Sequence, residues 1–217
     1  PFIDAFSNAE IDRVFIVGSG SSRNVGEMIK PFVESILPIE VTVIVPSRYE
    51  DIAHAISSHS MLVMISQSGR STNTIAAAKF SGIPSRLTVA ITENPISAVA
   101  QSAGIHIALP WDTPETVGAK TKGVTCSTFI LMLAFLELGL TTGRVSPEHY
   151  HVILDAMSAF ASNHAENIQR IIDWQERIKK KMALATCMLI LGQKAYLGAA
   201  MESALKLLET IYRPLFA

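Results

Sequence analysis

The stretch Val63-Met-Ile-Ser-Gln-Ser-Gly-Arg-Ser-Thr-Asn-Thr74 sets the reading of the whole chain. A short apolar run that suits a buried strand gives way to Ser66, Gln67, Ser68, Gly69 and Ser71, and an Ala-rich helical pattern, Ile75 to Lys79, follows at once. Hydroxyls, a glycine and backbone N–H groups therefore collect where a helix begins. An anion is most easily held there, because the first helical amides lack intrahelical partners and the helix dipole is positive at that end. Three serines within six residues offer donors to several oxygens of one phosphate. The segment reads as strand, phosphate-holding loop and helix.

The same alternation extends to both sides. Strand patterns occur at Arg13–Val17, Val41–Val45, Met61–Ser66, Leu87–Thr92 and Ile105–Leu109, with helical patterns at Ser22–Leu37, Tyr49–Ile56, Ser71–Ser81 and Ile96–Ala103. The strands are apolar and β-branched without alternation, as expected when both faces of a sheet are covered. This repetition predicts an α/β fold, a doubly wound parallel sheet with right-handed crossovers and ligands at the carboxyl ends of its strands. The apolar stretch Val124–Leu140 predicts a buried helix ended by Gly143, and from Pro147 to about Lys181 a more charged helical region is expected to connect or to pack outside. Cys187–Leu191, Gly192-Gln193 and Leu197–Tyr212 repeat the opening strand–turn–helix pattern. The expected organisation is a first domain over 1–145, a helical connector over 146–182, and the start of a second similar lobe over 183–217. The start at Pro1 and the stop at Ala217 read as those of a fragment.

Composition narrows the function classes. Hydrophobic residues make up 49% of the 217 and charged residues 17%, which supports a substantial core and argues against disorder. A net charge of −1 gives no long-range attraction to nucleic acid or anionic membrane, and the basic run Lys179-Lys-Lys181 reads as a solvated helix end. Cys126 and Cys187 lack CxxC or His spacing, so buried free thiols in a reducing cytosol are expected. With no secretory signal and no run of 18 apolar residues, the chain is expected to be cytoplasmic, with no membrane partner. None of the six histidines has metal-ligand spacing, so no metal is expected, and His149 and His151 near a helix start read as exposed.

Three further segments carry polar groups in suggestive places. The first turn, Gly18-Ser-Gly-Ser-Ser-Arg-Asn24, sits like a dinucleotide fingerprint, but Arg23 stands where the third glycine belongs. The next strand ends Val45-Pro-Ser-Arg48 without an acid, so no dinucleotide cofactor is expected. The turn either caps its helix or presents Ser21 and Ser22 as donors to a sugar or phosphate. The loop Trp111–Lys122 contains Glu115, Gly118, Lys120 and Lys122; its lysines are either solvated or paired with a phosphate or carboxylate. Near the end, Glu202, Lys206 and Glu209 share one helix face. That face is either a surface stripe of ion pairs or a carboxylate base and lysine poised over a carbonyl-bearing substrate.

Taken together, the loops resemble the sugar isomerase (SIS) family of phosphosugar-binding domains, and within it the isomerase part of glucosamine-6-phosphate synthase and the fructosamine 6-phosphate deglycases. The matching pieces are Ser19-Gly-Ser-Ser22, Ser66-Gln-Ser-Gly69 with Ser71 or Thr72, Glu115 through Thr125, and the helix Ala200–Tyr212 after Leu191-Gly-Gln193. The resemblance implies that Ser66, Gln67, Ser68 and Ser71 hold a sugar 6-phosphate with help from Ser21 or Ser22. It implies that Glu209 moves a proton between C1 and C2, and that Glu202 and Lys206 hold the open-chain sugar. It further implies a homodimer with sites between subunits. Arg70 replaces an acidic residue common after the Ser-Gln-Ser-Gly motif, and Lys120 replaces a serine of the synthase. A lysine there suits the carboxylate of an amino acid attached to the sugar, which favours the deglycases. Ammonia-driven synthesis is not expected, because the glutaminase part with its cysteine nucleophile has no counterpart here. The alternative is a non-catalytic regulatory domain that binds a sugar phosphate.

Overall fold

A computed structural model of the chain describes residues 1–79, 82–83, 87–111, 115–211 and 215–216. The expected helix ends at Ser81 and Tyr212 lie outside the described residues. Strands β1 (Arg13–Val17), β2 (Glu40–Ile44), β3 (Ser60–Ile65), β4 (Thr88–Thr92) and β5 (Ile105–Ala108) form one parallel sheet in the order β2-β1-β3-β4-β5. Every residue of β3 and β4 is buried, whereas the outer strands β2 and β5 are partly exposed. Burial on both faces is why the central strands lack a polar alternation.

The helices are α1 (Phe2–Asn8), α2 (Ser21–Ile36), α3 (Tyr49–Ile52), α4 (Thr72–Lys79), α5 (Ala98–Gln101), α6 (Lys122–Thr141), α7 (Pro147–Ser162), α8 (His164–Leu184) and α9 (Ala195–Ile211). Helix α2 packs with α6 and α9, while α4 packs with α5 and the short turn Pro46–Arg48. The chain leaves β1 toward β2 but leaves β3 toward β4, in opposite lateral directions, so right-handed crossovers put these two groups on opposite faces of the sheet.

Helix α6 departs from the sequence expectation about membranes. Among the described residues it is long and apolar enough to cross a bilayer, by length and composition. Its apolar character has a core explanation. Leu131, Phe135, Leu136 and Leu138 are fully buried, and the helix packs against α1, α2 and α7. A helix covered on several faces is hydrophobic around most of its circumference.

The charged region after Pro147 divides at Asn163 into α7 and α8, and α8 buries none of its residues, in keeping with an outside position. The expected strand Cys187–Leu191 shortens to β6 (Met188–Leu189), which pairs in parallel with β7 (Leu215–Phe216) across α9. The thiols are free as expected, but they are not both buried: Cys126 is half-buried and Cys187 exposed. The apolar residues around Cys187 misled, because Leu189 and Leu191 are themselves exposed in this segment.

Candidate functional site

The strand order reverses direction between β1 and β3, and a crevice opens at such a switch point beyond the carboxyl ends of the strands. The register pairs Val17 with Met64, so the turn after β1 and the serine loop after β3 leave the sheet side by side. In the serine loop, the Ser66 amide donates to the Ile91 carbonyl at 3.1 Å, and the Ser66 carbonyl accepts from the Gly69 amide at 2.9 Å. Gly69 has φ of 65° and backs directly onto Ser97, so a side chain there would face both backbone strain and collision. The Ser71 carbonyl accepts the Ile75 amide at 3.0 Å, which opens α4. Ser66 is buried, while Ser68 and Ser71 are half-buried, and Ser71 Oγ accepts from Thr74 Oγ1 at 3.0 Å. Arg70 points to solvent.

Gln67 is held from a different side. Its amide Nε2 donates to Glu93 Oε2 at 3.2 Å, and its carbonyl accepts the Glu93 amide at 2.8 Å. Trp111 Nε1 donates to the same Glu93 oxygen at 3.2 Å. Lys122 Nζ lies 4.8 Å from the centre of the Trp111 ring, a cation–π distance.

The third loop is organised by Glu115 rather than by its lysines. The Glu115 carboxylate accepts the amides of Thr121 at 2.8 Å, Lys122 at 3.1 Å and Gly123 at 3.3 Å, at the N-terminus of α6. Burial acts to raise its pKa, but the three amides and a hydrogen bond from Gln67 outweigh this and hold it below the usual carboxylate value. The first amides of α6 thus already have an anion. Lys120 is half-buried beside them.

On α9, Glu202 is only 7% exposed and joins that helix to α2. Ser21 Oγ donates to Glu202 Oε1 at 2.9 Å and Asn24 Nδ2 donates to Oε2 at 2.8 Å. Lys206 Nζ stands 3.6 Å from Glu202 Oε1 and 2.7 Å from Glu209 Oε2. The face is therefore graded: Glu202 is buried, Lys206 half-buried and Glu209 exposed. The ion pairs of the surface-stripe reading do form, on a face that is buried at its Glu202 end. Ser22 lies half-buried in the first turn of α2.

Two groupings result. Ser21 meets Glu202 on the face it shares with Lys206 and Glu209, and Gln67 packs on Gly123 at the end of α6 that Glu115 holds. Sequence reasoning missed Asn24, Glu93 and Trp111. Glu93 directly follows β4, so the rule that ligands gather at strand carboxyl ends could have found it. Among the described residues, no cluster of His, Cys, Asp or Glu is arranged to hold a metal ion.

The SIS domain model matches residues 7–137, more than half of the chain and all three loops. The chain belongs to the SIS domain family. A relative, the isomerizing glutamine–fructose-6-phosphate aminotransferase of Caldanaerobacter subterraneus subsp. tengcongensis, is 28% identical over 94% of this chain. The SIS chain covers 33% of that relative's length, so it spans about a third of the curated proteins it matches. A Clostridium difficile 630 structure assigned as a phosphosugar isomerase superposes with a TM-score of 0.87 at 26% identity, covering 99% of this chain and 62% of that one. The C-terminal domain of glucosamine-fructose-6-phosphate aminotransferase from Francisella tularensis gives a TM-score of 0.86 at 20% identity, covering 99% of this chain and 59% of that one, a likeness of fold.

Proposed function

We propose that this SIS chain serves a phosphosugar-processing enzyme, a deglycase or aldose–ketose isomerase acting on a fructosamine- or amino-sugar 6-phosphate. The observation that carries the reading is the seating of Glu202 on Ser21 and Asn24. This joins the helix that carries the Lys206–Glu209 pair to the start of α2, which follows β1, and β1 lies beside the β3 strand that leads into the Ser66–Ser71 loop. In this reading, Ser66, Ser68 and Ser71 grip the phosphate with Ser22 and the Gln67 backbone. The carbonyl end then faces α9, where Glu209 carries a proton between C1 and C2 and Lys206 offers positive charge to the enediolate oxygen. Glu115 already occupies the first amides of α6, so an amino-acid carboxylate on the sugar would rely on Lys120. A cytoplasmic homodimer and a second lobe opening at 183–217 belong to the same proposal.

A second reading, a regulatory domain that binds sugar phosphate without turning it over, is favoured by one observation. Ser21 and Glu202 satisfy each other within the chain, as groups with a purely structural role would. Incubation of the protein with fructoselysine 6-phosphate and with glucosamine 6-phosphate separates the readings. Release of free amino acid marks the deglycase, aldose–ketose interconversion marks the isomerase, and binding without either marks the regulator. Glu209→Gln is expected to lower turnover by at least about 100-fold while leaving phosphate affinity within about twofold. Full activity in that variant would remove Glu209 from the mechanism.

A further inference from the structure

We propose that Glu115 is a positioning residue for the serine loop, acting through Gln67. The consequence for ligand binding rests on the phosphosugar reading above; the geometry does not. Both Glu115 oxygens are fixed by α6, with Oε1 taking the Thr121 and Lys122 amides and Oε2 the Gly123 amide. The amide of Gly123, which this carboxylate holds, belongs to the residue against which the Gln67 side chain packs, so Glu115 and Gln67 meet at one end of α6. Gln67 Nε2 donates to Glu93 Oε2 at 3.2 Å, which holds the other end of the same side chain. Its carbonyl end packs on Gly123, where an added Cβ would collide with Gln67 Oε1 and come within 2.6 Å of Cδ. The side chain is boxed on three sides.

Gln67 stands between Ser66 and Ser68, so holding its side chain restrains the backbone that carries both neighbouring serines. Two carboxylates beside a phosphate-holding loop are electrostatically adverse as ligands. They are explained as anchors, since Glu115 is neutralised by helix amides and Glu93 by Trp111 and Gln67. An amide is also the residue type required at 67. A carboxylate there would bring a further like charge beside Glu93, and an aliphatic side chain would leave Glu93 without this donor.

Amide hydrogen exchange on the unliganded protein tests the tie, and calorimetry with inorganic phosphate tests its consequence. Glu115→Gln would place an amide against an amide, and is expected to raise exchange at Ser68–Ser71 by about tenfold or more and weaken phosphate binding by about tenfold. Gln67→Ala should raise exchange at Thr121–Gly123 to a similar degree. Gly123→Ala, which suits a helix but displaces Gln67, should reproduce the Gln67→Ala pattern. Because one residue acts through the other, Glu115→Gln with Gln67→Ala should bind phosphate no more weakly than Gln67→Ala alone. Ser146→Ala removes the cap of α7 far along the chain from these loops, and should lower stability without changing exchange at Ser68–Ser71. Unchanged exchange at Ser68–Ser71 in Glu115→Gln, or fully additive losses in the double variant, would overturn the proposal. Failure of the wild type to take up phosphate would count against the phosphosugar reading, while the exchange data would still decide the tie.

Discussion

Glu202 shows how one buried side chain can join two helices that lie far apart in the sequence. Its carboxylate accepts from Ser21 and Asn24 and lies within ion-pair distance of Lys206, all in a setting almost closed to water. Removing it leaves the Asn24 amide buried without its acceptor and takes one of two carboxylates from Lys206. Glu202→Ala should therefore cost about 2–4 kcal/mol of stability, read as a lowered urea midpoint. An unchanged midpoint would mean that α9 is seated by other contacts. Glu115 makes a smaller, pH-dependent contribution. Its folded pKa lies below its unfolded value, so its stabilisation is complete above about pH 4.3 and is lost as pH falls through the lower folded value. Glu115→Ala should therefore flatten the acid limb of a melting-temperature profile while lowering the plateau near neutrality. A parallel downward shift at every pH would contradict this.

Between elements, the decisive packing is that of α9 on α2. Gly198 lets the two backbones approach closely, since a Cβ there would lie 2.6 Å from the Asn24 carbonyl oxygen and strike the Met28 backbone nitrogen. Alanine is the better helix former by about 1 kcal/mol, yet it would have to push the helices apart. Gly198→Ala is expected to destabilise by about 2 kcal/mol or more, and to loosen the Glu202 bonds with it. A gain in melting temperature would show that propensity outweighs packing here. The strand and helix identities were legible because a β-branched run and a 3.6-residue period leave different traces. Boundaries shifted by a residue or two, as with α2 at Ser21–Ile36 against the expected Ser22–Leu37. The first helix, Phe2–Asn8, went unread because seven residues are too few to establish a period.

For the molecule as a whole, α6 is the keel. Leu131, Phe135 and Leu138 join the main hydrophobic cluster around the sheet, and Phe135 meets Phe2 edge-on at a centroid distance of 5.6 Å. Phe135→Ala should cost about 3–5 kcal/mol, measured as the free energy of unfolding in denaturant. A loss below about 1 kcal/mol would show that the core closes around the gap. The topology that this core supports places three loops at one end of the sheet, and the family match over residues 7–137 covers that part of the chain.

How much of the site was legible follows from the range of the interactions involved. Ser66–Ser71 could be read as an anion loop because its strand, glycine and helix start are all local. Glu202, Lys206 and Glu209 could be placed on one face from spacing, but burial of Glu202 depends on a partner 181 residues away, Ser21. The carboxylate that occupies the α6 amides was hidden for the same reason. Glu115 looked like one charge among several, and a lysine beside it looked more suited to an anion. Patterning along the chain establishes the α/β layers and the serine loop, because hydrophobic period and turn chemistry act over a few residues. Which carboxylates are buried and hydrogen-bonded, and which stays exposed, is decided by packing of distant elements, because desolvation and hydrogen bonding depend on what folding brings near.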